Sequence, residues 1–308
     1  MRKNTIRSAF TMLELVFVIV ILGIVSSIGS TIIADVYGNY IVQRSLYNAT
    51  LKTDLAVKQI AARLALRMNN TIIGRRPSDN DIINIISLTP ADSDHVILEW
   101  IGYDNDSFSA TATPGWSGFC DINDSTQSLL DTPGSNLANT STIITNLGGD
   151  PTSDLAILFN GAFYNNASNT MYNVGGLGYN SIPYTTISPV TITAPRTLTM
   201  ADVNPKTVYD QYKLVWSAYA IVPVQQSQNL NTDIDESKLF DLELRYNYQP
   251  WNGIQYDNAN TLRKTLVKDV TVFKFRGVGE TLRIKLCVQE KISASETVNI
   301  CKEKAVIR

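Results

Sequence analysis

The chain is poor in the residues from which most catalytic and metal sites are built. Its 308 residues include one histidine, His95, and three cysteines. A single imidazole leaves little basis for histidine-dependent catalysis or metal binding. The cysteines Cys120, Cys287 and Cys301 form no C-x-x-C pair, so zinc-ribbon and thiol redox motifs are unsupported. No cofactor is predicted.

The chain also lacks an excess of positive charge and the common ligand-binding motifs. Its formal net charge is −2 at pH 7. Because nucleic-acid interfaces are typically basic, no nucleic-acid partner is predicted. The sequence contains no phosphate-binding loop, dinucleotide fingerprint or Gly-x-Ser-x-Gly motif. These absences argue against an enzyme.

Proline is missing from the first 76 residues, which permits one long helix there. An uncharged, mostly apolar stretch runs from Leu15 to Ala34, and 20 helical residues rise about 30 Å, the thickness of a bilayer core. Spacings of three and four beyond it predict an amphipathic stripe that packs on a head. The helix is predicted from Phe10 to Met68, stopping near Asn69-Asn70. The predicted stripe contains Leu46, Thr50, Thr53, Val57, Ile60, Leu64 and Met68, widened by Tyr47, Leu51, Leu55 and Ala62.

A carboxylate stands at the mouth of the apolar stretch. A charge inside a membrane helix costs about 3 kcal/mol even on lenient scales. Glu14 therefore needs a partner and is the first candidate for a functional residue.

The residues around Glu14 carry a specific resemblance. Ala9-Phe10-Thr11-Met12-Leu13-Glu14 follows a short basic leader and precedes an apolar helix. This arrangement resembles the N-terminus of type IV pilins and type II secretion pseudopilins. The resemblance covers residues 1–35 well and residues 36–70 more loosely, and it departs from the family at Ala9, where glycine is usual.

The resemblance implies a processing and assembly route. A prepilin peptidase would cut between Ala9 and Phe10, the new Phe10 amine would be methylated, and Glu14 would face the amine of a neighbouring subunit's Phe10. Other implied partners are pilin or pseudopilin subunits and an inner-membrane assembly platform. The implied organisation is a leader at 1–9, a transmembrane or fibre-core helix at 10–35, an amphipathic helix half at 36–70 and a periplasmic β-rich head at 71–308.

Two plainer interpretations of the N-terminal segment remain open. A cleaved secretory signal peptide would use Ser27-Ile28-Gly29 as its small-x-small cut site, but its apolar core should be shorter and free of acid. An ordinary single-span anchor, with the basic leader inside, accounts for the length but not for Glu14 or Phe10.

The last third of the chain has the period of two that is typical of strands. Residues 240–248 alternate apolar and polar side chains, which predicts one buried and one wet face. Together with a shorter strand at 96–101, these segments should form an antiparallel sheet packed on the helix stripe, an α+β arrangement. The resemblance to pilins implies that this fold is pilin-like. The other predicted strands cover 212–224, 266–275, 282–288 and 298–306.

The same pattern places two cysteines opposite each other. If 282–289 pairs with 297–304, Cys287 faces Cys301 at a separation close to disulfide range. A disulfide-closed C-terminal region also resembles many pilins. Pairings that use Cys120 remain open.

Further polar and aromatic residues favour structural interpretations. His95, after Asp94 at the start of a strand, is interpreted as a surface histidine, and Trp116 and Trp251 as core or loop anchors rather than interface contacts. The sequence Asp233-Ile234-Asp235-Glu236 is interpreted as a solvated loop. Asp104-Asn105-Asp106 and Asp121-Ile122-Asn123-Asp124 carry the oxygen ligands that calcium prefers but not the spacing of an EF-hand, so they are interpreted as turns.

The function favoured by these features is structural: a minor pilin or pseudopilin of a type IV pilus or type II secretion pseudopilus, anchored by a single pass in the inner membrane with a periplasmic head. The large head suggests a low-copy subunit. One alternative is a pilus-tip adhesin or substrate-binding component that recognises its ligand through the Asn/Thr/Ser-rich residues 78–205. The other, a single-span anchored periplasmic enzyme, lacks a convergent set of acid, base or nucleophile.

Overall fold

The computed structural model describes residues 11–108, 113–159, 164–165, 170–171, 174–179, 186–201, 208–225, 235, 237–278, 281–293 and 296–307. Ala9 and Phe10 lie outside this range, and of the predicted loop at 233–236 only Asp235 lies inside it. The helices are α1 Met12–Ala65, α2 Asn105–Phe108 and α3 Leu137–Asn146, with 3-10 turns at Pro90–Asp92, Val174–Leu177 and Pro250–Asn252. The strands are β1 Ile73–Arg75, β2 Ile82–Asn84, β3 Ile97–Tyr103, β4 Leu129–Asp131, β5 Ala156–Phe159, β6 Tyr164–Asn165, β7 Thr170–Met171, β8 Ile187–Ala194, β9 Thr197–Met200, β10 Tyr212–Val224, β11 Phe240–Tyr248, β12 Leu262–Val278, β13 Thr281–Lys291 and β14 Thr297–Ile307.

The long N-terminal helix is confirmed. Its 54 residues give α1 a length of about 80 Å. Among the described residues α1 alone is long and apolar enough to cross a membrane, which is consistent with a single-pass anchor.

The helix ends three residues before the predicted boundary, at Ala65. The next residues pair with β3 instead of continuing the helix: the Met68 N–H donates to the Ile101 carbonyl at 2.8 Å, and the Tyr103 N–H donates to the Leu66 carbonyl at 3.0 Å. Asn70 then takes a left-handed conformation, with φ 63°, in the turn that leads to β1.

Twelve of these strands form one large antiparallel sheet, and β6 and β7 pair separately. One arm runs β14-β13-β12-β11-β10. The far edge of β10 pairs with β3 along residues 215–221 and with β5 along residues 212–215. From there the sheet divides into two shorter arms, one through β1 and β2 and the other through β8, β9 and β4. The architecture is therefore α+β, a helix on an antiparallel sheet.

The second half of α1 packs against the inner face of the sheet, and the predicted stripe is confirmed at Thr53, Val57, Ile60 and Leu64, which are buried. Leu46, Tyr47, Leu51 and Leu55 were expected in the core, yet all four are exposed. Small residues replace them at the interface, which lets the helix approach β13 and β14 closely. The buried helix positions are Ser45, Ala49, Thr53, Ala56, Val57, Ile60 and Leu64.

A second core covers the opposite face of the sheet, and β11 contributes to both. Asn247 has φ 60° and is skipped in the pairing with β10, so it acts as a bulge. Leu244 before the bulge belongs to the helix-side core and Tyr248 after it to the second core. The expectation of a fully wet face is wrong at Arg245, which is buried.

Both loop tryptophans are buried, as the anchoring interpretation predicted. Trp116 is 3% exposed, and its ring nitrogen donates to the Asp104 carbonyl at 2.9 Å. Trp251 is 2% exposed in the 3-10 turn after β11 and packs in the second core. Neither ring is available as an interface contact.

The C-terminal hairpin has the predicted register. Cys287 lies opposite Cys301 on β13 and β14, and the two form a disulfide. Cys120 is free and buried, with its sulfur 3.2 Å from the Ser125 hydroxyl. Pairings that use Cys120 are therefore wrong.

Reduction of the disulfide should destabilise the head. The bond joins residues 14 positions apart, and closing a loop of this size contributes about 3 kcal/mol on the chain-entropy model. Denaturant unfolding with and without reductant should show a loss of about that size. A C287S/C301S variant should be insensitive to reductant, and equal stability of the oxidised and reduced wild type would contradict the prediction.

Candidate functional site

The N-terminus of α1 is closed by a capping box made of Thr11 and Glu14. The Thr11 hydroxyl accepts from the Glu14 N–H at 3.4 Å. Glu14 Oε2 in turn accepts from the Thr11 N–H and from the Thr11 hydroxyl, both at 3.0 Å. Each side chain thus satisfies a backbone N–H that has no partner within the helix.

This cap gives Glu14 a second role that the sequence analysis missed. The signal was present, because Thr-x-x-Glu before an apolar run is the sequence signature of a capping box. A carboxylate in the first turn is also stabilised by the helix dipole. The cap holds the exposed carboxylate at the edge of the apolar segment, and both of its hydrogen bonds to the carboxylate go to Oε2. Phe10, its proposed partner, lies outside the described residues.

The first half of α1 is an uncovered apolar rod. Its large side chains between Met12 and Ile33 are all more than half exposed. The apolar surface continues past the predicted membrane segment through Tyr37 and Tyr40, whose rings lie 6.4 Å apart. Tyr47, Leu51 and Leu55 extend it along the side of α1 that faces away from the sheet.

The head fixes the second half of the same helix firmly. Lys52 Nζ lies 2.6 Å from Glu290 on β13, and the Ser45 hydroxyl donates to the Lys291 carbonyl at 3.3 Å. Behind these contacts, Ile60 and Leu64 are fully buried in the core between helix and sheet. The head therefore holds only the second half of α1, and the apolar rod projects from it.

His95 is not the surface residue that was predicted. It is 5% exposed, with Nδ1 3.1 Å from Asp94 and Nε2 3.2 Å from Asp81. Arg76 bridges the same carboxylates and Asp79. The pKa of Asp79 is lowered, first by the Asp81 backbone N–H and then by Arg76. This network joins β1, β2 and β3. It has a structural role, because both imidazole nitrogens of His95 already contact a carboxylate.

A second titratable cluster is buried in the sheet. Arg75 Nε and Nη2 donate to Glu99 Oε2 at 3.0 and 2.8 Å, and the Tyr248 hydroxyl donates to Oε1 at 3.2 Å. Burial raises the pKa of Glu99, and the charge of Arg75 acts against that rise. Both side chains are almost fully buried, so the pair stabilises one arrangement of β1 and β3 and is not accessible to a substrate.

Removal of the Glu99 charge should destabilise the fold strongly. In Glu99→Gln the Arg75 guanidinium stays buried without its counter-ion, which should lower the free energy of unfolding by about 3 kcal/mol. Denaturant unfolding measures this difference. Glu290→Gln, which breaks the exposed pair with Lys52, is the control and should cost less than about 1 kcal/mol. Similar losses in both variants would contradict the assignment.

Of the two Asx-rich segments only the second is a turn as predicted, because Asn105 and Asp106 begin the short helix α2. Asp104 is buried and accepts from the Ser107 N–H at 3.3 Å and from the Ser107 hydroxyl. Asp121 accepts from the Asn123 N–H at 2.9 Å, which is an Asx turn. Within the described ranges, no group of three or more His, Cys, Asp or Glu side chains is arranged to hold a metal ion.

Comparison with protein-family models, curated proteins and solved structures finds no significant match. The resemblance to pilins and pseudopilins therefore depends on residues 9–14 and on the apolar helix that follows them.

Proposed function

We propose that this chain is a structural subunit, a minor pilin or pseudopilin, of a type IV pilus or type II secretion pseudopilus. The observation that carries the proposal is the uncovered apolar rod, which begins at Glu14 and projects from a head that holds only the second half of α1. A protein of this shape needs a bilayer before assembly and the helices of other subunits after it.

The energetics favour transfer from one apolar environment to another. Fully burying one Val, Leu, Ile or Phe side chain contributes about 1.5–3 kcal/mol relative to water. The rod carries more than a dozen such side chains, so exposure to water is strongly disfavoured. Gly23 and Gly29 have open space at the position of a Cβ, and small residues let helices pack closely in a membrane or fibre core.

The chemistry of the N-terminus supplies the second argument. In the proposed route a prepilin peptidase cuts between Ala9 and Phe10, and the methylated Phe10 amine is the positive group that meets Glu14 of a neighbouring subunit. The cap uses Oε2 of Glu14, so Oε1 can face that amine while the cap stays closed. A buried charge pair of this kind sets the axial register between subunits more than it adds stability.

The proposed partners follow from the route: the prepilin peptidase, other pilin or pseudopilin subunits and an inner-membrane assembly platform. Before assembly the chain is a single-pass inner-membrane protein with a periplasmic head. The protein itself makes and breaks no bonds in this function.

The two roles of Glu14 can be separated by substitution. Glutamine serves at the same position of a capping box, so Glu14→Gln keeps the cap and removes the charge. Thr11→Ala keeps the charge of Glu14 and removes the capping hydroxyl, which should destabilise the start of the helix by about 1 kcal/mol. If charge pairing sets the register, Glu14→Gln should reduce filament incorporation at least about tenfold, whereas Thr11→Ala should still assemble. A tenfold change corresponds to a loss of only about 1.4 kcal/mol of interaction free energy.

Incorporation is measured as the fraction of the chain in sheared filaments against the membrane fraction, with unfolding of the full chain in detergent as the folding control. Normal incorporation of Glu14→Gln together with a defect in Thr11→Ala would assign Glu14 to capping alone and remove the register role.

The exposed side of the distal helix gives a second test. Leu51 and Leu55 are 42% and 49% exposed, so Leu51→Gln and Leu55→Gln should change the free energy of unfolding by no more than about 0.5 kcal/mol. Both should nevertheless lower incorporation, because they place amides between packed helices. Leu262→Gln, at 44% exposure on the head, is the matched control. If both helix variants are incorporated like the wild type, the side of α1 that carries Leu51 and Leu55 makes no contact with other subunits.

A further inference from the structure

Strands β12 and β13 carry two directly opposed pairs of like charges. Lys274 lies opposite Lys285, and Arg276 lies opposite Arg283. Residues opposed on antiparallel strands share a face, where like charges destabilise the sheet. Arg276, Arg283 and Lys285 are exposed. We call these four residues the cationic strand pair.

The neighbouring groups balance this charge only in part. Lys285 Nζ lies 3.7 Å from Glu303 on β14, and Lys274 Nζ donates to the Ser93 carbonyl at 3.4 Å. For Arg276 and Arg283 there is no ion pair with any residue that the structure describes. Among the described residues, the unfavourable juxtaposition of the two arginines therefore has no compensating acidic partner.

A cavity of about 400 Å³ opens beside the cationic strand pair. It lies between the segment 88–96 and strands β12 and β13, and all four cations line it. Apolar surface comes from Val278, which lies on the same face of β12 as the cations, and from Leu88, Pro90 and Val96. Asp92 and Glu303 are the acidic side chains that line the cavity. The site thus combines an apolar pocket with a cationic rim.

The position of the site argues against a lipid headgroup as its ligand. Asp54 on α1 lies within electrostatic range of Lys302 and Lys304, the neighbours of Glu303 on β14. Asp54 follows the end of the apolar stretch at Ala34 by 20 residues, about 30 Å of helix. Charges are screened over about 8 Å in physiological salt, so headgroups at that distance contribute little.

The charge also argues against nucleic acid. A chain of net charge −2 with four clustered cations, flanked by Asp92 and Glu303, offers no extended track for a phosphate backbone. A short acidic polypeptide matches both the charge and the apolar cavity.

We propose that the cationic strand pair and its cavity bind an acidic segment of another protein chain, whose carboxylates face Arg276 and Arg283 and one of whose apolar side chains enters the cavity. The proposal goes beyond the assembly function, and its binding site shares no residue with Glu14 or the apolar rod. Of the proposed function it uses only the placement of the apolar stretch in a membrane.

The test uses the full chain in detergent micelles and a fluorescent probe peptide of Asp and Glu residues around a central Leu, with anisotropy as the readout. Two further probes replace the acids by Asn and Gln, or the central Leu by Asn. A single-stranded oligonucleotide of equal charge is the fourth probe.

Arg276→Glu is the decisive variant, because it turns the opposed Arg276 and Arg283 into an opposite-charge pair. It should raise the melting temperature while weakening binding of the acidic peptide at least about tenfold. Lys264→Glu, the same charge change at an exposed position at the other end of β12, is the control and should bind like the wild type.

The wild type should bind the acidic peptide, less tightly at higher salt, and both amide-containing probes should bind more weakly. Absence of peptide binding, equal losses in Arg276→Glu and Lys264→Glu, or tighter binding of the oligonucleotide would each overturn the proposal.

Discussion

The apolar half of α1 is the constraint on which the rest of the structure depends. From Met12 to Ile33 its large side chains face solvent, and no part of the described head turns back to cover them. The head instead closes around the other half of the helix, where Ile60 and Leu64 are fully buried and small residues allow β13 and β14 to approach. This division of one helix leaves the rod to be covered by a bilayer or by other molecules.

The rest of the fold serves to hold the distal helix rigidly. The strand β14 runs along α1 at the edge of the sheet, and its disulfide to β13 closes the hairpin that contacts the helix. On the other side, the buried pair of Arg75 and Glu99 fixes β1 against β3. A buried ion pair contributes little net stability but disfavours alternative pairings strongly, because each of them would leave a charge unpaired.

Much of this architecture could be predicted from patterns of a few residues. The absence of proline and the uninterrupted apolar run defined α1, and the alternation in the last third defined the strands and the register that joins Cys287 to Cys301. The failures depend on contacts distant in sequence. The burial of His95 depends on contacts such as that with Asp81, 14 residues away in the sequence. Small residues such as Ala49 and Ala56 complete the buried face of α1, and a search for large apolar side chains overlooks them. The capping box of Thr11 and Glu14 could have been predicted from the Thr-x-x-Glu signature, but Glu14 was considered only as a charge near the membrane.

The central claim is that the apolar rod and Glu14 serve a subunit that is processed and then assembled. The most direct test is mass spectrometry of the N-terminus of the full protein, isolated from the membranes and surface filaments of the cells that make it. The account predicts a chain that starts at Phe10 with a methylated amine in both fractions. A mature chain that still begins at Met1, or that begins near Ser30 after removal of the apolar segment, would contradict it.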